Sequence, residues 1–159
     1  MIDHEARRRV SELLRHLVSG QITNDAFEDA LPEGSGDRAV QEISSEAWYL
    51  YSDLWEHRLV GKERLSREAR THVARTILFL KSPLEYEWPE WPFRSRMVSS
   101  MLRVLTLGAL GRGARVRYEK AGDIEVWPFL RRADYDAALK TPPYLSGRSN
   151  NEMQRTRPG

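Results

Sequence analysis

Apolar residues recur at helical spacing along the first half of the chain. Between residues 3 and 19, Val10, Leu13, Leu14, Leu17 and Val18 fall at i, i+3, i+4, i+7 and i+8. Arg7, Arg8, Arg9, Glu12 and Arg15 lie largely on the remaining arc, so the segment reads as an amphipathic helix. Asp3 stands where an N-cap belongs and Gly20 where a C-terminal cap belongs. A short helix at 24–30 is ended by Pro32, and Glu33-Gly34-Ser35-Gly36 forms a link. From 37 to 58 runs the longest helical pattern, with Val40, Ile43, Ala47, Leu50 and Leu54 as one stripe and Trp48, Tyr51 and Trp55 as a second. A helix apolar on two faces is expected at the centre of the fold. After Gly61, Ser66 is placed to cap a helix over 67–81 whose inner face is Ala69, Val73, Ile77 and Leu80.

The second half is less regular. Glu87-Trp88-Pro89 is followed at once by Glu90-Trp91-Pro92. A residue before proline is pushed towards extended geometry, and in a three-residue-per-turn polyproline helix Trp88 and Trp91 would share one edge. A further amphipathic helix is predicted over about 94–110, loosened and stopped by Gly108, Gly111 and Gly113. Alternation at 114–119, the turn signal Ala121-Gly122-Asp123 and the run 124–130 predict a β-hairpin whose second strand Pro128 confines to an edge. A short helix at 134–139 precedes Thr141-Pro142-Pro143, and the polar residues after 145 lack apolar periodicity. The expected architecture is therefore α+β: one domain over 1–145, a compact bundle of four to five helices with a C-terminal hairpin packed on one side, and a disordered tail over 146–159.

Composition narrows the function classes. The 159 residues are 40% hydrophobic and 30% charged, a balance foreign to a membrane protein or a wholly disordered chain. Cysteine is absent, which removes disulfides, thiol nucleophiles and cysteine-ligated metals. The opening Met1-Ile2-Asp3-His4-Glu5 lacks an apolar signal region, so a soluble, cytoplasmic protein with no membrane partner is expected. The net charge of +2 conceals a division: residues 1–90 hold 12 Lys+Arg against 17 Asp+Glu, a net of −5, and residues 91–159 hold 13 against 6, a net of +7. Such halves attract each other within one fold or across a dimer, or offer a basic surface to an acidic partner.

Three groups of residues carry candidate chemistry. The acidic-aromatic arm Glu85, Glu87, Trp88, Glu90, Trp91 and Phe93 is the favoured partner-binding site, because exposed tryptophan is enriched at interface hot spots; the competing reading folds this arm back onto the core. Arg112, Arg115, Arg117, Arg131 and Arg132, with Lys120, offer phosphate contacts for a nucleic-acid-binding alternative. Asp53, Glu56 and His57, joined by Glu46 and by His72 from the next helix, would serve a third reading as a small hydrolase or metal-dependent enzyme, since Asp53 and His57 lie one helical turn apart. A surface ion pair explains the same residues. No Walker, dinucleotide, nucleophile-elbow or H-E-x-x-H motif has the required spacing and context: Gly61-Lys62 lacks its upstream glycine, and the glycines at 108, 111 and 113 follow a helix instead of a strand. No catalytic residue, metal ligand or cofactor is assigned. The favoured reading is a non-enzymatic protein-interaction module whose partner is another protein or a second copy, as in a homodimer.

The last eleven residues, Ser149-Asn150-Asn151-Glu152-Met153-Gln154-Arg155-Thr156-Arg157-Pro158-Gly159, resemble the translated recombination-site tail of mobile integron gene-cassette products. The stretch from Trp48 to Pro89, with Leu78-Phe79-Leu80-Lys81 leading to Glu85-Tyr86-Glu87-Trp88-Pro89, resembles bacterial proteins of similar length with no assigned activity, from which no functional residue carries over. The cassette resemblance implies an accessory adaptive gene, and an immunity-like or antitoxin-like role is in keeping with it.

Overall fold

A computed structural model of the chain describes residues 1–89 and 120–140. Five α-helices account for about half of the described residues: α1 His4–Val18, α2 Asn24–Asp29, α3 Arg38–Ala47, α4 Arg67–Leu80 and α5 Arg132–Lys140. Four of them begin on a side chain that supplies the acceptor the first turn lacks. Asp3 accepts from the amide of Ala6, Thr23 from Ala26, Asp37 from Ala39 and Ser66 from Ala69. Gly20, at φ +70°, turns the chain out of α1 and is closely approached by Val60, which leaves no room for a side chain there.

α1 packs on α4, α3 and α2, so the predicted apolar stripe of α1 lies at the centre. Val10, Leu13, Leu14 and Leu17 meet Val40 and Ile43 of α3 and Val73 and Phe79 of α4 in one buried cluster closed at one end by Phe27 of α2. Burying each such side chain contributes about 1.5–3 kcal/mol. The segments after α4 cover the far side: Phe129 sits edge-on to Phe79 at 5.1 Å, and Tyr135 of α5 stacks at a tilt on Phe129.

One charged side chain lies inside this packing. Arg7 of α1 is 1% exposed and grips both carboxylate oxygens of Asp37, from Nε at 2.5 Å and Nη2 at 3.1 Å. Its Nη1 donates to the carbonyls of Ser82 and Leu84, and its guanidinium lies over the Phe79 ring. Burial disfavours the charged form of Asp37, but the Arg7 hydrogen bond and the backbone amides of Asp3 and Ala39 outweigh it and hold its carboxyl below the ordinary 3.8. A buried arginine is tolerable only when its donors are met in this way.

Two expectations are corrected. The α+β class is overturned: the described residues contain no β-strand, and residues 124–130 are not the second arm of a hairpin. Ile124–Val126 is a single 3-10 turn capped by Asp123, which accepts from the Glu125 amide, and the chain then turns through Pro128. The Asp123 amide bonds back to Leu130 within the same short loop, so its backbone groups are satisfied locally instead of by a partner strand. The predicted first strand at 114–119, the helix at 94–110, residues 141–145 and the tail lie outside the described residues. The long helix over 37–58 is also shorter than expected. α3 ends at Ala47, one 3-10 turn runs Trp48–Leu50, and Tyr51 is already extended at φ −143°. Among the described residues no helix is long and apolar enough to cross a membrane.

Candidate functional site

The early end of α3 turns residues 51–60 into a loop, and α2 holds that loop in place. Asn24, 1% exposed, donates from Nδ2 to the carbonyls of Ser52 and Trp55 and accepts from the His57 amide at 2.7 Å. Its own amide donates to the His57 carbonyl. A single buried side chain thus replaces the hydrogen bonds that a continuing helix would have made. Thr23 donates to Glu56 at 2.8 Å, and Arg58 donates to the carbonyls of Gly20 and Gln21, so both flanks of the loop are tied to the α1–α2 corner. Tyr51 packs edge-on to Phe27, and Leu59 is buried. Between these anchors Leu54 is 80% exposed and Trp55 53% exposed, with Tyr49 also exposed just before them. Asp53 and Glu56 flank the pair and are exposed too. His57 donates from Nδ1 to the Trp55 carbonyl, since a carbonyl can only accept, and its ring lies 5.9 Å from the Trp55 ring.

The favoured arm divides. Glu85 is exposed, 3.6 Å from the terminal amine of Met1, and Glu87 is exposed, but Trp88 is completely buried and its Nε1 donates to the Pro128 carbonyl. Arg38 donates to the Trp88 carbonyl and lies over Tyr86, fixing the same segment to α3. Trp88 is therefore a core side chain, as the competing fold-back reading had it, and offers no docking surface. Glu90, Trp91 and Phe93 lie outside the described residues. Of the basic set, Arg131 and Lys120 are exposed, and Arg132 is held at 2.8 Å by each of Asp123 and Glu125. Those ion pairs engage Nε and Nη2 of its half-exposed guanidinium. Arg112, Arg115 and Arg117 lie outside the described residues.

The acid–base set does not assemble. Asp53, Glu56 and His57 sit on the loop, not on one helix face, while His72 on α4 stacks flat on Trp127 at 5.4 Å. Among the described residues no group of three His, Asp or Glu is placed to hold a metal ion. Glu46 and His72 do line one cleft, with Leu14, Ile43 and Trp127, but its cavity of about 10 Å³ has room for no more than one water. Burial, then the neighbouring Arg75, holds the His72 imidazole below its ordinary 6.5.

The chain matches no protein-family model, no curated protein and no solved structure.

Functional reading therefore rests on the residues themselves, and the pinned loop is where they depart furthest from ordinary packing. Sequence reasoning placed Leu54 and Trp55 inside, because their spacing continues the stripes of α3. The available signal was the pair of acids on either side, Asp53 and Glu56, which an interior segment would have had to bury.

Proposed function

We propose that this protein is a non-catalytic module that binds another protein through the loop at 51–58, with Leu54 and Trp55 as its apolar contacts. The observation that carries the reading is the combination of exposure and restraint. Two large apolar side chains stand in water while the backbone beneath them is fastened by buried Asn24. A loop free to collapse would bury these groups at a gain of about 1.5–3 kcal/mol each. A loop fixed with them outward meets a partner with its ordering cost already met, which is how tryptophan comes to dominate interfaces. Asp53 and Glu56 favour a partner pocket rimmed by lysine or arginine and would orient the encounter. The resemblance of residues 149–159 to gene-cassette products fits an accessory role of this kind, immunity-like or antitoxin-like.

A photo-crosslinking residue placed at Leu54 in the expressed full-length protein tests the reading against the same residue at exposed Glu33. The expected result is a discrete crosslinked species at position 54, either a second protein or a dimer of the chain, that Trp55→Ala abolishes while circular dichroism is unchanged. Light scattering on the purified protein then separates self-association from an external partner. Equal, diffuse crosslinking at both positions would end the proposal.

A further inference from the structure

The cluster formed by His72, Arg75, Trp127 and Tyr135 lies away from the loop and joins α4 to residues 123–140. Arg75 donates from Nε to the Trp127 carbonyl at 2.7 Å, and its guanidinium lies over the Tyr135 ring. Its Nη2 is 3.2 Å from Nδ1 of His72. A guanidinium can only donate, so Nδ1 is the bare nitrogen and the imidazole is neutral with its proton on Nε2. The His72 ring in turn lies parallel to the Trp127 indole, with 2° between the planes. Trp127 reaches on to the hydroxyl of Tyr86 through Nε1, and the next residue supplies the carbonyl that Trp88 needs. One imidazole and one guanidinium therefore latch the C-terminal segment onto α4.

We propose that His72 is a proton-operated catch: neutral, it accepts from Arg75 and holds the Trp127–Tyr135 segment against α4, and protonated, it repels Arg75 and releases that segment. Protonation at Nδ1 would set an N–H against an N–H and place two cations in contact, with only half-buried surroundings to screen them. The groups facing His72 from each neighbouring element set the balance. On its own helix Arg75 opposes the charge. From α3, Glu46 lines the same cleft and is the acid that favours it, while α1 contributes only the apolar Leu14. From the C-terminal segment come the Trp127 face and Tyr135, with Asp123 and Arg132 acting on Arg75 in opposite directions. Burial and Arg75 lower the affinity of His72 for a proton relative to the unfolded chain, where 6.5 is the ordinary value. A depressed histidine contributes stability that is complete above the unfolded value and is lost as pH falls through the folded one, so the latch weakens in acid.

Hydrogen exchange of the full-length protein at pH 7.5 and pH 5.0, corrected for intrinsic rates, reads the latch directly. The amides of Val126, Phe129 and Tyr135, each bonded to a carbonyl within the segment, are expected to lose about tenfold or more of their protection between the two pH values, and more than those of α1 lose through the fall in overall stability. His72→Gln, whose side-chain oxygen can accept from Arg75 at any pH, is expected to remove the difference. The wild-type protein supplies a second measurement: the His72 ring proton, followed by NMR, should titrate below the ordinary imidazole range and in step with the shifts of Tyr135. Unchanged protection in the wild type, an equal acid loss in His72→Gln, or a ring that titrates without moving Tyr135 would overturn the proposal.

Discussion

Arg7 is the residue whose removal the fold should feel most. Its guanidinium meets the Asp37 carboxylate, two carbonyls and an aromatic face in a site closed to water. Arg7→Met keeps the length of the stem but leaves Asp37 charged and buried, at a cost of about 3–5 kcal/mol. Urea unfolding of the two proteins checks this, and a loss under about 1 kcal/mol would mean that water reaches the site. The sequence offered no sign of it, because Arg7 begins the run Arg7-Arg8-Arg9 and only Arg7 turns inward. Which of three adjacent arginines is buried depends on Asp37, thirty positions away, and that pairing leaves no mark on local periodicity.

At the scale of elements, α1 and α4 were legible because three local signals coincide in each: an apolar stripe, a capping side chain and a breaker. α3 was legible only in its first ten residues. Its apolar spacing continues to Trp55, but the chain leaves the helix where Asn24 offers hydrogen bonds from another element, and a long-range partner of that kind outweighs propensity. The hairpin failed for a related reason. The apolar run at 124–130 reads as a strand, whereas Val126 and Phe129 point inward from a short turn that closes on itself. The tandem Trp-Pro repeat identified an unusual segment without saying that Trp88 is buried in the core. Asn24→Ala tests the role given to α2: it should cost about 1–3 kcal/mol by leaving buried groups unpaired, and raise exchange at the His57 amide selectively. Global loss without selective exposure of the loop would show that Asn24 acts on packing alone.

At the scale of the whole molecule, His72 and Asp37, two of the groups whose affinity for a proton the fold lowers, predict a stepped response to acid. Stability should decline first below about pH 6.5 as the unfolded chain takes up a proton that His72 resists, and again below about 3.8 as Asp37 is forced to protonate. Chemical unfolding midpoints measured from pH 8 to pH 2 should show both steps, and His72→Gln only the lower one. A single smooth decline would assign the acid response to net charge instead. The described first half is also acidic overall, as the sequence indicated, and that asymmetry belongs to the molecule, not to any one helix.

The buried arginine also bears on how the chain is made. α1 leaves the ribosome before the other described helices, yet Nη1 of Arg7 finds its acceptor on Leu84, 77 positions later. Until that turn has been synthesised, the side chain that belongs at the centre of the protein has only part of its site, and water remains its better host. A nascent chain halted before Ser82 would already carry α2, α3 and α4 to cover the apolar stripe of α1, but it would leave the Arg7 guanidinium short of two of its acceptors.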